Sequence, residues 1–177
     1  MTKALALIIT MAMLSGCAAG VENLQQPSQA QKTVVSSAPV SINAVVVSYT
    51  AEAQKEMSDN LKFNPNTLVE EIKNGLSARQ LFDAANKNGC VVDIEFTNIR
   101  IRSSFNAVMF GAMAGADKVD GIVSLQDMDG KVVRKFLVHT GYGLGGFAGG
   151  VDASRMGWLY DKFAQYTVQE LAGDNPR

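Results

Sequence analysis

Residues 90–102 constrain the fold more than any other part of the chain. Cys90, Val92, Ile94 and Phe96 alternate with Val91, Asp93, Glu95 and Thr97. A period of two is the pattern of a strand with one face against a core. The phase then flips, because Ile99 and Ile101 are apolar while Arg100 and Arg102 are polar. In a regular strand that shift would turn the second apolar set toward solvent. An extra residue is therefore required, and a β-bulge is predicted near Thr97-Asn98.

A strand this long needs sheet partners and a covering layer. Val45, Val46 and Val47, with Tyr49 after them, predict one partner within a domain that starts near Val40. Val119 to Leu125 and Lys131 to His139 predict a hairpin around the turn Asp127-Met128-Asp129-Gly130. Asn64 as cap and Pro65 at the first helical position open a helix. Its apolar face is Leu68, Val69, Ile72, Leu76, Phe82 and Ala85, Gly75 weakens its middle, and Gly89 is its expected stop. A last helix, capped by Asp152 or Ser154, carries Met156, Leu159, Tyr160, Phe163, Tyr166 and Leu171. Ala51 to Phe63 reads as a helical turn or a loop. The order β-α-β-β-β-α predicts an α+β fold, with a mostly antiparallel sheet and two helices packed on one face.

The first residues read as an export signal. Lys3 is followed by an apolar run from Ala4 to Leu14, broken only by Thr10. About 11 residues are too few for a bilayer span, which takes roughly 20. Leu14, Ser15, Gly16 and Cys17 resemble the lipobox of bacterial lipoproteins. That resemblance implies cleavage before Cys17 and a thioether to diacylglycerol, with an N-acyl chain added. No other cofactor and no metal site are expected. Ala18, in place of Asp, implies sorting to the outer membrane. The expected organisation is a signal peptide (1–16), the lipidated Cys17 and a flexible tether (17–39), one periplasmic domain (40–173) and a short tail (174–177). A tether of some 20 residues reaches about 25 Å, and part of it is allowed to pair as an extra edge strand.

The formal charge is −1 over the whole chain, spread without like-charge blocks or a basic stripe, so nucleic acid is not an expected partner. Once Cys17 carries lipid, Cys90 is the only remaining thiol. At a strand start it reads as a small buried hydrophobe rather than an intermolecular disulfide.

Gly141-Tyr142-Gly143-Leu144-Gly145-Gly146 matches G-x-G-x-x-G. A dinucleotide unit needs a further parallel strand beyond the next helix, and none follows. Gly141, Gly143, Gly145, Gly146, Gly149 and Gly150 are therefore read as a flexible loop. Gly141, Gly145 and Gly149, like Gly111 and Gly115, also recur at four-residue spacing. Small residues so spaced let helices approach in membranes, and an oligomeric export channel is the alternative they suggest. His139 is the single histidine. It supports a second alternative, a periplasmic hydrolase, although no G-x-S-x-G elbow is present. Arg100, Arg102, Phe105, Met109, Phe110 and Met113 form the candidate partner surface, since Phe and Met without charge over a dozen residues are unusual unless covered or docked.

The stretch from Asp93 to Leu171 resembles a family of bacterial lipoproteins described only by a domain of unknown function. The shared features are a strand, the small-residue segment ending Gly111-Ala112-Met113-Ala114-Gly115-Ala116, a hairpin from Val119 to Val138, a glycine-rich loop and a terminal helix. The fold is similar to the small periplasmic domains of the penicillin-binding-protein activator LpoB and the curli secretion channel CsgG. That similarity of fold carries no function by itself; the lipid anchor, the flexible tether, the small domain and the lack of a catalytic constellation lead to the expectation of a non-enzymatic envelope accessory or assembly factor that binds a protein partner.

Overall fold

The computed structural model describes residues 18–24, 40–58, 62–144 and 151–174. The fold is α+β. Five strands, β1 (Ala18–Asn23), β2 (Ile42–Tyr49), β3 (Cys90–Arg100), β4 (Asp117–Gln126) and β5 (Val132–Tyr142), form one sheet in the order β1-β5-β4-β3-β2. Four helices accompany it: α1 (Ala51–Ser58), α2 (Pro65–Ala78), α3 (Ser104–Met109) and α4 (Asp152–Ala172). Among the strands of the described residues, only β2 and β3 pair in parallel. Parallel neighbours need a long crossover, and α1 and α2 supply it.

The alternation in β3 does what its residue pattern requires. The ladder to β4 shifts register between Phe96 and Asn98, so Val92, Ile94 and Phe96 share the core face with Ile99 across the bulge. All four are fully buried. Their ladder partners Leu125, Val123 and Val119 on β4 continue that face, and Phe136 and Val138 on β5 complete it. Helices α2 and α4 cover it through Leu68, Ile72, Leu76, Leu159, Phe163 and Leu171. Phe96 stands at the centre, with the rings of Tyr49 and Phe63 each 5.5 Å away and Phe163 at 5.8 Å. β2 ends opposite Phe96. Beyond that point Glu56 of α1 accepts from the Ile99 amide at 2.8 Å, satisfying the unpaired edge of β3.

Several elements depart from the expectations. Ala51–Ser58 is helical. Helix α2 stops at Ala78, well before Gly89, and Gln80 takes a positive φ of 58°. Phe82 then bridges Ile42 of β2. Phe82 and Ala85 therefore lie off the helix. Asp83 and Asn86 turn the chain there, accepting from the amides of Ala85 and Asn88 at 2.9 and 3.0 Å. The cap of α4 is Val151, with no side-chain bond; Asp152 is its first helical residue and is engaged elsewhere. Part of the predicted tether does pair at the sheet edge, as the sequence allowed. Its first residues, Ala18–Asn23, form the edge strand β1 against β5, with Ala18 opposite Gly141. That pairing starts one residue after Cys17, so this stretch gives no stand-off. Residues 25–39 lie outside the described residues.

The covering helices meet closely at one glycine. A Cβ on Gly75 of α2 would sit 2.9 Å from Val168 Cγ2 of α4. Although glycine costs about 1 kcal/mol within a helix relative to alanine, we expect Gly75→Val to lower stability by about 1–3 kcal/mol through overpacking. Adding Val168→Ala should return part of that loss. Urea midpoints of the two single variants and the double variant check both statements.

Candidate functional site

At one end of the sheet, four ionic side chains close around the start of β4. Asp117 is fully buried, and Arg102 and Arg155 are 5% and 1% exposed. Asp117 accepts from the Arg102 backbone amide at 2.7 Å, from Arg102 Nη2 at 3.1 Å and from Arg155 Nη1 at 2.8 Å. Arg102 also donates to the carbonyls of Gly115 (2.7 Å), Tyr142 (3.0 Å) and Leu144 (2.9 Å). Arg155 donates to the Arg102 carbonyl at 3.3 Å and to Asp152 at 2.5 Å. Asp152 further accepts from Lys62 Nζ and the Ser104 hydroxyl, each at 2.6 Å. The cluster thus joins the ends of β3 and β5 to the starts of β4, α3 and α4.

Burial opposes the charge on Asp152. The hydrogen bonds from Lys62, Ser104 and Arg155 outweigh it and hold the carboxyl well below the usual carboxylate range. Three cations, Arg102, Arg155 and Lys62, meet two carboxylates, so the cluster is balanced to within one positive charge. Every one of these groups is committed to another, so the arrangement positions chain rather than transferring protons.

What it positions is the fourteen-residue segment 103–116, which contains no charged residue. Ser103 caps α3 by accepting from the Asn106 amide at 3.2 Å, and a 3₁₀ turn, Gly111–Ala114, follows. Ala107 packs inward. Phe105, Val108, Met109, Phe110 and Met113 are all exposed, Met113 at 94%. The Phe105 and Phe110 rings meet edge to face at 6.2 Å. Leu144 and Val151, also exposed, flank the same end of the sheet.

The predicted site residues separate accordingly. Phe105, Met109, Phe110 and Met113 are each exposed, and the rings of Phe105 and Phe110 meet. Arg100 is exposed beside them and donates to the Ala114 carbonyl at 3.1 Å. Arg102 is not a surface residue: β3 ends at Arg100, so Arg102 leaves the face of Arg100 and turns inward to Asp117. Gly141 is not part of a flexible loop, since it is laddered within β5 between Ala18 and Lys118. Gly143 follows the strand end. Gly145, Gly146, Gly149 and Gly150 lie outside the described residues, as do Leu14, Ser15, Gly16 and Cys17. Gly115 has a local reason to be glycine: its φ is +83°, and a Cβ would lie 2.8 Å from the Arg100 guanidinium.

His139 is exposed on the opposite sheet face, laddered to Asp120. Burial raises the pKa of Asp120, against the lowering effect of a hydrogen bond from Asn98 and of the charges on Lys118 and His139. Among the described residues no serine or cysteine is bonded to His139. Cys90 is half-buried, and burial with nearby Asp127 raises its thiol pKa, which makes it a poor nucleophile. Sequence reasoning did not bring Asp117, Arg155 and Asp152 together, and expected Asp152 only as a helix cap. The available signal was Arg155 itself, a charge on the stripe that continues through Leu159 and Phe163.

A family model described as a domain of unknown function, DUF4410, matches residues 15–146. No curated protein matches the chain. Among solved structures, a PelC dodecamer from Paraburkholderia phytofirmans is 14% identical with a TM-score of 0.49, over 85% of this chain and 96% of that one. A single-substitution PelC dodecamer from the same organism is 16% identical with a TM-score of 0.43, over 83% and 98%. At these scores the likeness carries no statement about function.

Replacing Arg102 or Arg155 by Met should cost about 3–5 kcal/mol, because each change leaves the buried Asp117 charge under-compensated; chemical denaturation of the variants measures it. Asp152 predicts a pH dependence. Its pKa is lower folded than unfolded, so its charge stabilises the fold above the unfolded value near 4, and that contribution fades as pH falls toward the folded value. The stability gap between the parent and Asp152→Asn should be flat from about pH 5 to 8 and shrink below about pH 4. A gap that widens on acidification would contradict the ion-pair assignment.

Proposed function

We propose that this chain, which belongs to the DUF4410 family, is a lipid-anchored outer-membrane lipoprotein that acts as a non-enzymatic accessory or assembly factor and binds another envelope protein. One observation carries the anchor: Leu14, Ser15, Gly16 and Cys17 stand directly behind a short apolar run with a basic start. The small residues suit a narrow signal-peptidase pocket, and the thiol is what a thioether to diacylglycerol requires. Several acyl chains hold a protein far more firmly than one, at roughly 0.8 kcal/mol per buried CH₂. Among the described residues no helix is long and apolar enough to cross a membrane, so on this reading the lipid supplies the attachment.

The non-enzymatic part is supported by how the ionisable groups are used. Asp117, Arg102, Arg155, Asp152 and Lys62 are paired with one another, and His139 is laddered to Asp120 and Gly20. The similarity to the LpoB and CsgG periplasmic domains belongs to this proposal as an expectation of the fold. The partner surface we favour is the sheet face opposite the helices. Asp93, Glu95, Asn98, Ile122 and Leu137 are only partly buried there, and they offer charge and apolar area together on a rigid platform.

Labelling cells with radioactive palmitate tests the anchor, with incorporation expected in the parent and lost in Cys17→Ser. Capture of the tagged protein from envelopes in mild detergent tests the partner. A stoichiometric companion that is lost on Glu95→Lys is expected, and a lone monomer would overturn the accessory role.

A further inference from the structure

We propose that the apolar surface of segment 103–116 inserts into the phospholipid surface at which Cys17 is anchored. The inference rests on the lipid-anchor reading and adds a second membrane contact made by the folded domain. Its basis is register. Cys17 is bonded to Ala18, the first residue of β1, and Ala18 pairs with Gly141. Gly141 pairs with Lys118, and Lys118 pairs with Arg100. These four residues form one row across the end of the sheet. Segment 103–116 connects β3 to β4 at that same end. Three strand spacings of about 4.8 Å separate β1 from β3, roughly 14 Å in all. A lipid on Cys17 therefore brings this end of the sheet to the bilayer, with no slack between anchor and strand.

The chemistry of the segment suits that position. It carries no charge that would have to be desolvated. Phe105, Met109, Phe110 and Met113 are exposed together, and aromatic and flexible apolar side chains are the kind that settle about 5–10 Å into the boundary between headgroups and acyl chains. Exposed Arg100 and Lys118 stand at its rim, placed to meet anionic headgroups. The buried cluster beneath holds both ends of the segment at this end of the sheet. A protein docking on the same patch is the competing occupant. The position of the anchor favours lipid, because the bilayer is already there at high local concentration.

The test uses the lipidated full-length protein reconstituted in vesicles of phosphatidylethanolamine and phosphatidylglycerol. An environment-sensitive fluorophore is attached at Met113→Cys or at Met128→Cys, each in a Cys90→Ala background. Met113 is 94% exposed in the patch, and Met128 is 65% exposed in the hairpin turn at the opposite end of the sheet, so neither probe disturbs the core. Phospholipids with doxyl-labelled acyl chains should quench the Met113 probe at least about twofold more than the Met128 probe, given the shallow insertion depth of such segments. Adding Phe105→Ser and Phe110→Ser should reduce that difference. Equal quenching at both sites, with palmitate still on Cys17, overturns the insertion and leaves the anchor standing. Absence of palmitate overturns both. A Met113 probe that stays unquenched in vesicles but is shielded by a co-purifying protein in envelopes assigns the patch to protein and overturns the lipid reading.

Discussion

The Asp117 carboxylate held between two buried guanidinium groups is the interaction on which one whole end of this molecule depends. Removing such charges from water is costly, and their mutual attraction at best offsets the loss. Arg155 adds to the cost, since its buried Nε finds no acceptor among the described residues. The cluster is therefore not a net source of stability in the way that the Phe96 core is. Its contribution is positional. An apolar replacement would pack well but would have no reason to bind the carbonyls of Gly115, Tyr142 and Leu144. Arg102 does so with a planar fork whose donors point in fixed directions.

Several features follow from that clamp. The segment 103–116 enters from Arg102 and leaves into Asp117, two residues whose side chains are bonded to each other. Its length is thereby confined between fixed points. A segment of this composition would otherwise collapse onto the nearest apolar surface. Here the core face below is already filled by α2 and α4, and Ala107 is the part of α3 that packs inward. The remaining apolar side chains have nowhere to go but outward. Exposed apolar area of this kind is ordinarily selected against unless something covers it.

The core was legible in the sequence because it is governed by local periodicity. The flip after Phe96 forecast the bulge, Asn64-Pro65 forecast the start of α2, and Asp129-Gly130 forecast the hairpin. The end of α2 was not legible, because the backbone around Phe82 is drawn into a bridge with Ile42, forty residues earlier, and no local signal outweighs that pairing. β1 was legible only as an allowance that part of the tether pairs at a sheet edge, and its position was not legible. Ala18-Ala19-Gly20 has little strand propensity, and its place is set by β5, which lies more than a hundred residues away. Arg102 misled in the opposite direction. Its spacing from Arg100 placed both on one exposed face, and only its distance from Asp117 across an uncharged stretch hinted at a buried pair.

The small residues of β1 also explain how it is held. Next to β5, Gly20 sits against the imidazole of His139, with 2.9 Å between Cε1 and the position a Cβ would take. A larger residue there would displace the ring or lift the strand. β1 therefore contributes little apolar burial, chiefly through Val21, and relies on its ladder to β5. The geometry of that ladder suits an attachment point. If Cys17 is the anchor as proposed, a pull directed along β1 would load all six registered positions from Ala18 to Asn23 together. Peeling from the side would break them one at a time. An edge strand that is weak as a source of core is in this way strong as a coupling, and the loss of hydrophobic area is offset by a load path that runs straight into the centre of the sheet through β5 and β4.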